Sequence, residues 1–405
     1  MQSSMRLPFA LLCTVPFIMV LGNSMLVPLL PKMKEVMSVS LFQVSLFITA
    51  FSLPAGITIP FAGFLSDRFG RKIIMAPALI LYGTGGLLAG TAALLTARPY
   101  YLILGSRILQ GIGAGGTYQL AMALVGDIFQ SNERAKALGL LEASNGLGKV
   151  ISPIAGALLG LIAWFAPFFA YGFLAIPIGL AIWLIVREPK QGIGQHRTIE
   201  SYFGSLKQIF KEKGAGLLAC FLAGMTVLFL LFGILSLVAD NLEAKGWEGL
   251  QIGLLLALPV GSMALTSYLC GSYLQKKNAQ ILKITLVTGL SVVTGALLLM
   301  AFKLPLYLFL IVLIFLGVGT GSVLPAVNTL ITSAASASQR GGITCLYGSM
   351  RFLGVALGPP VFGLAARGGL FLWVLAAALT FVIALLTAFL VHVREMLPPD
   401  LLTQP

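Results

Sequence analysis

Charge is scarce in this chain of 405 residues: 10% are Asp, Glu, Lys or Arg, against 58% hydrophobic. A soluble domain carries about 25% charged residues, so the deficit excludes water as the main solvent. Acid is scarcer than base, with 13 carboxylates against 26 cations. The four cysteines (Cys13, Cys220, Cys270, Cys345) sit singly in apolar runs, and the two histidines, His196 and His392, lie apart. That spacing suits neither a disulfide framework nor a metal centre, so no metal and no other cofactor is expected. No phosphate-binding loop and no Ser/His/Asp set occurs, which excludes the common enzyme classes. A long soluble domain is missing too, and with it the usual build of a membrane sensor.

What the chain has in abundance is long apolar runs. They cover 8–30, 41–65, 73–95, 100–125, 137–161, 167–186, 215–238, 250–274, 284–302, 305–331, 341–365 and 370–392. About 20 apolar residues are needed to cross a bilayer as a helix, and backbone groups in lipid must be bonded internally. Alternation with period two is absent, which excludes a membrane barrel. The expected fold is therefore all-α and integral to the membrane, with twelve spans. The first run is too long for a signal-peptide core and lacks a cleavage site, so it stays as a span.

The cations are unevenly placed. With the N-terminus inside, Arg6, Arg68, Arg71, Lys72, Arg134, Lys136 and most others fall on inward segments. Outward segments hold only Lys32, Lys34, Arg98, Lys245, Lys303 and Arg367. This is the positive-inside asymmetry. It accounts for the formal charge of +13 as a topology signal and removes nucleic acid as a partner. Both termini are expected in the cytoplasm of a multi-pass protein of the plasma membrane, of the bacterial inner-membrane kind. Trp164, Trp247 and Trp373 read as outer interfacial anchors and Trp183 as an inner one.

Two halves, 1–190 and 214–405, flank a polar linker, 191–213, that can form an amphipathic helix through Tyr202, Phe203, Leu206, Ile209 and Phe210. The halves resemble each other: QGIGAGG at 110–116 matches LGVGTGS at 316–322, and SP at 152–153 matches GP at 358–359. GFLSDRFG at 63–70 matches GSYLQKKN at 271–278, placing Gly70 over Asn278. Gly and Asn tolerate left-handed backbone, so both loops are expected to make the same tight turn. Parallel six-helix repeats are a known transporter design with the substrate near the midplane.

Four charges crowd the short connector GFLSDRFGRKIIM, residues 63–75. With RILQGIGAGG at 107–116, LGNSMLVPLLP at 21–31 and GKVISPIAGA at 148–157, it carries a resemblance to the major facilitator superfamily, in its twelve-helix drug:proton antiporter branch. GFLSDRFGRK fits the signature between the second and third spans at each of its positions. The fifth-span antiporter pattern is worn, since Ser152 and Ala157 stand for two glycines.

The resemblance implies a proton-coupled secondary transporter working by alternating access, exporting drugs or small amphipathic metabolites, with no enzyme activity. It implies a cytoplasmic latch of Gly63, Asp67, Arg68, Gly70, Arg71, Lys72 and Asp127, in which Asp67 faces the eleventh-span N-terminus at Gly341–Gly342. Gly148, Pro153 and Gly156 form the antiporter motif and allow close helix contact and a kink. The alternative is a specific carrier of an organic anion or lipid-like metabolite. Small molecules, protons and lipid are the expected partners, and a monomer the expected state.

Charges at mid-bilayer cost about 2.5–3.5 kcal/mol each, so those present invite a role. Arg107, Glu142, Lys149 and Arg351 fall within spans and are assigned to proton coupling or the cavity. At about 1.5 Å per residue, Glu142 lies roughly 8–9 Å from the cytoplasmic end of its span. It is the candidate proton-linked acid; otherwise it is a structural partner of Arg351 or Lys149. Three cations against one acid point to an anionic or zwitterionic substrate, or to cations answered by backbone carbonyls. Asn23, Gln119, Asn145 and Asn328 are the weaker candidates for polar cavity groups.

Overall fold

The computed structural model describes residues 5–129, 131–188, 199–274, 279–302, 304–335 and 340–392, and among these there is no strand. The helices run α1 (Arg6–Ser24), α2 (Leu30–Met37), α3 (Leu41–Phe69), α4 (Arg71–Leu95), α5 (Tyr100–Gly115), α6 (Tyr118–Ile128) and α7 (Ser131–Ile162). They continue with α8 (Ala166–Ile185), α9 (Ile199–Glu243), α10 (Gly249–Leu274), α11 (Ala279–Met300), α12 (Leu306–Ala334), α13 (Arg340–Leu364) and α14 (Leu370–Leu390). Each expected span falls largely on helix. Ten helices among the described residues are long and apolar enough to cross a membrane.

The other two spans depart for physical reasons. The run 100–125 is broken: α5 ends at Gly115, α6 starts at Tyr118, and Thr117 between them has φ −113° and ψ −82°. Pieces of 16 and 11 residues fall short of the roughly 20 needed to span alone. Helix α13 is continuous over 25 residues, but Arg351, its glycines and Pro359–Pro360 lower its hydropathy. The first span is also composite. After α1 comes a 3₁₀ turn at Val27–Leu29 and then α2, with Pro28 and Pro31 in the opening turns of these two elements. Proline suits a first helical turn because the N–H it lacks has no helical partner there.

Helix α3 opens on a capping box, Gln43 N donating to Ser40 Oγ (3.1 Å) and Ser40 N to Gln43 Oε1 (2.8 Å). Helix α9 begins within the expected linker and kinks at Lys213 (φ −129°, ψ 15°). There Lys213 Nζ donates to Ala334 O at 2.9 Å, so a cation meets the negative end of α12. Before the kink, Ile209 is buried and the Phe210 ring meets Phe221 edge-on at 6.0 Å. The side chains of Tyr202, Phe203 and Leu206 lie outside the described residues, as do the turn at 275–278 and the side chains of Arg134 and Lys136.

The chain forms two compact units, Met1–Thr198 with Val238–Leu254, and Ile199–Leu237 with Leu255–Pro405. In the first, α4 packs on α5 and α8, α3 on α5, and α1 on α7 and α8. Its core holds Phe47, Phe51, Tyr82, Phe168 and Tyr171. Glycines set how closely these helices approach: a Cβ at Gly111 would strike the Phe51 carbonyl, and one at Gly113 the Tyr82 nitrogen. The QGIGAGG run is thus a smooth strip lying against the α3 and α4 backbones, a packing mode favoured in membranes. In the second unit α11 packs on α12 and α14.

Candidate functional site

The connector between α3 and α4 is a single residue, Gly70, at φ +109° and ψ 146°, a conformation open to glycine and strained for other residues. This turn folds Arg71 back over the end of α3. Arg71 Nη1 pairs with Asp67 Oδ1, one turn earlier, and donates to Ser66 Oγ at 2.6 Å. Its Nε reaches Asp127 Oδ2 at 3.4 Å, near the end of α6. Ser66 Oγ in turn donates to the carbonyl of buried Gly63 at 2.8 Å. Asp67, Arg71 and Asp127 are therefore brought together. Arg68 is exposed and stands over its neighbour Phe69 at 5.4 Å, while Lys72 Nζ lies 6.0 Å from the Trp183 ring. Among the described residues neither cation forms an ion pair with Asp67 or Asp127.

One member of this region escaped the sequence. Glu188, just past α8, accepts from Arg71 N (2.6 Å) and Lys72 N (3.0 Å). A carboxylate on the first free N–H groups of α4 satisfies orphan donors and meets the positive helix end. It also lies where a Cβ on Gly70 would come, 3.0 Å from its Oε2. The available signal was a lone acid before proline at the inner boundary of the sixth span.

Deeper in the unit, Arg107 is wholly buried on α5. Its guanidinium donates from Nη2 to Asn23 Oδ1 (2.6 Å), from Nη1 to Gln110 Oε1 (2.5 Å) and from Nε to the Phe47 carbonyl (3.1 Å). Asn23 Nδ2 continues the chain to Ser52 Oγ at 2.6 Å. The Phe51 ring covers the cation at 4.5 Å. The charge is thus dispersed over neutral acceptors and an aromatic face, and no carboxylate among the described residues pairs with it. Asn23, expected as a cavity group, takes part in this buried network. Gln110 was not foreseen, and its Nε2 has no partner among the described residues.

Helix α7 presents three faces, as about 100° per residue dictates. Ser144, Gly148, Ser152 and Gly156 turn toward α1. Ser144 Oγ donates to Cys13 O at 2.6 Å, a Cβ at Gly148 would come 3.2 Å from Phe17 O, and one at Gly156 would strike Met25 O. Ser152, standing for a glycine, hides its hydroxyl on its own helix at Gly148 O, 2.6 Å away. Leu140, Leu147, Ile151 and Leu158 are exposed on a second, apolar face. Glu142, Asn145, Lys149 and Pro153 share the third. A Cβ at Gly253 would meet Pro153 O at 2.8 Å and Ala157 Cβ at 2.6 Å.

Glu142 is exposed, and its Oε1 accepts from the Tyr118 hydroxyl. Tyr118 opens α6 immediately after the break at Gly116–Thr117, so the interruption of the fourth span delivers the phenol to Glu142. Asn145 is buried beside it and Gln119 half-buried. In the second unit Asn328 is exposed and Arg351 half-buried. Helix α9 runs to Glu243, past the expected end at 238, and pairs Asp240 with Lys34.

Comparison with known proteins follows this geometry. The family model described as Major Facilitator Superfamily matches residues 12–359. The chain is similar to the protein named Bacillibactin exporter of Bacillus subtilis (strain 168), 39% identical over 388 residues, covering 95% of this chain and 96% of that one. It is similar also to Multidrug resistance protein 2 of the same organism, 29% identical over 208 residues, about half of each chain. Among solved structures, a bacterial homolog of the human lysosomal transporter Spinster, inward-facing and unoccupied, matches with a TM-score of 0.77 at 17% identity. That match covers 98% of this chain and 100% of that one.

Proposed function

The chain belongs to the major facilitator superfamily, and from that premise we propose that it is a proton-coupled exporter of bacillibactin or a closely similar small molecule. The observation that carries this reading is the 39% identity spread over 95% of the chain with a protein named for that export. Likeness to the multidrug protein extends over about half of the chain, so a broad drug pump is the second reading.

In the proposed cycle Glu142 carries the proton. It is an acid at an accessible face of α7, hydrogen-bonded to the Tyr118 phenol, and an ionisable group within a span is a functional site by default. Arg107 fixes the packing of α5 against α3 and α1 and sets the positive field in which Glu142 works. The Asp67–Arg71–Asp127 cluster is the cytoplasmic latch, broken and re-formed once per cycle. The protein acts as a monomer in the plasma membrane, with both termini in the cytoplasm.

The test uses Bacillus subtilis lacking its own Bacillibactin exporter. Expression of this chain should restore bacillibactin to the medium, and a protonophore should abolish the effect. If the medium stays empty while ethidium or norfloxacin efflux appears, the multidrug reading takes its place. Export unaffected by the protonophore would remove proton coupling.

A further inference from the structure

Among the described residues the second unit shows no counterpart of the Arg107 network, yet several of its polar side chains are buried without service. Ser236 Oγ, Thr320 Oγ1, Tyr347 Oη and Arg351 Nε are shut from solvent and have no hydrogen-bond partner among the described residues. A buried donor left unpaired is costly, and one on a cation more so.

Two of the four are adjacent. Tyr347 and Arg351 stand one turn apart on the same face of α13, with the guanidinium carbon 5.7 Å from the Tyr347 ring centroid. The phenol is 2% exposed and fixed in place. A Cβ at Gly224 of α9 would come 2.5 Å from its Oη, and the Phe221 ring lies 5.9 Å away. Arg351 is half-buried as a residue, with its Nε shut from solvent. Neither α13 nor residues 214–237 of α9 contain a single Asp or Glu. Arg107 meets three acceptors; Arg351 meets an aromatic face and no carboxylate among the described residues.

We propose that Tyr347 and Arg351 form a subsite for an organic anion, a carboxylate or an ionised phenol on the exported molecule. Resting on the export reading above, this assigns the chemical class that the second unit recognises. Arginine suits the task because its planar fork presents several donors to one anionic group. The phenol hydroxyl adds a neutral donor at a fixed position.

Binding is measured by calorimetry on the purified full chain in an uncharged maltoside detergent, with benzoate, benzamide and benzylamine as probes matched in shape. Benzoate should bind at least tenfold tighter than benzamide, and benzylamine should not bind. Arg351→Gln should reduce benzoate binding about tenfold, to the benzamide level, since a hydrogen bond to a charged group is about that strong. Tyr347→Phe should weaken benzoate about threefold to tenfold, and Arg351→Lys should recover part of the affinity. Should Arg351→Gln fail to fold, Tyr347→Phe and Arg351→Lys decide the matter. The subsite is overturned if benzoate does not bind, binds no better than benzamide, or binds all variants as it binds the parent. Because binding requires no turnover, a chain that exports no bacillibactin can still pass. Intact export by Arg351→Gln would remove the subsite and leave the exporter reading in place.

Discussion

The two units use the same scaffold and different chemistry. At a shift of 206 residues, Gly317 stands for Gly111 and Gly321 for Gly115. Gly111 lies against the Phe51 carbonyl and Gly317 against that of Pro259; Gly115 abuts Ala55 and Thr58, and Gly321 abuts Met263 and Thr266. Gly148 rests on Phe17 and Gly354 on Met225 in the same way. Yet Leu313 occupies the place of Arg107, and α12 runs unbroken where α5 gives way to α6. Backbone approach repeats because close helix packing has few solutions. Charge and helix breaks do not repeat, so they mark where the first unit has been specialised.

The sharpest way to break this comparison is to give the first unit the residue of the second. Arg107→Leu leaves Asn23, Gln110 and the Phe47 carbonyl without their donor. With each stranded group costing about 1–3 kcal/mol, export should fall on the order of a hundredfold, with folded yield followed by fluorescence-detected gel filtration. Full activity in this variant would mean that the Arg107 network is dispensable.

Next in size is Glu142→Gln, which keeps the shape and an oxygen for Tyr118 and removes the titration. Loss of a positioned proton carrier typically costs about 10²-fold or somewhat more. Export driven by a pH gradient should therefore drop to near background while the protein stays in the membrane. Glu142→Asp is expected to recover a fraction of the rate.

The comparison also predicts a graded packing effect. In the second unit the pair matching Gly156 and Met25 is reversed: Phe362 is large and Gly233 small, and a Cβ at Gly233 would strike the Phe362 ring. Gly156→Ala should destabilise by roughly 1–3 kcal/mol through overpacking, read as a lower melting temperature. Gly148→Ala should cost under about 1 kcal/mol, since its Cβ would come only to 3.2 Å of Phe17 O. Equal melting temperatures for the two would contradict the α1–α7 contact.

Between these sits Glu188→Ala. Losing a carboxylate at a helix start costs about 0.5–2 kcal/mol, so export should slow severalfold as the Gly70 turn loosens. Glu188→Gln keeps an acceptor and should lie nearer to the parent. The initial rates of export in whole cells give both values.

Much of the fold was legible because apolar run length is set by bilayer thickness, which left α3, α4, α8 and α14 little freedom. The charged connector was legible through its signature, GFLSDRFGRK, whose likeness to a family pattern implied the Asp67–Arg71–Asp127 cluster. The break at Gly116–Thr117 was not. A glycine-rich run reads equally as a smooth packing strip, and here QGIGAGG is both strip and hinge. Glu188 was hidden for another reason: it acts on backbone N–H groups 116 and 117 residues earlier, and such partners leave no side-chain pattern. Tyr118 looked like one more aromatic residue in a greasy span until the break turned it toward Glu142. The span boundary at 238 concealed Asp240, because an acid at a helix end and an acid in a loop look alike in a hydropathy profile.

The most direct measurement uses everted membrane vesicles that hold an acid interior, with a fluorescent dye reporting the pH difference. Added bacillibactin should collapse part of the gradient in vesicles carrying the parent chain and leave it intact in those carrying Glu142→Gln. A gradient undisturbed in both, with bacillibactin nonetheless accumulating inside, would contradict proton-coupled export.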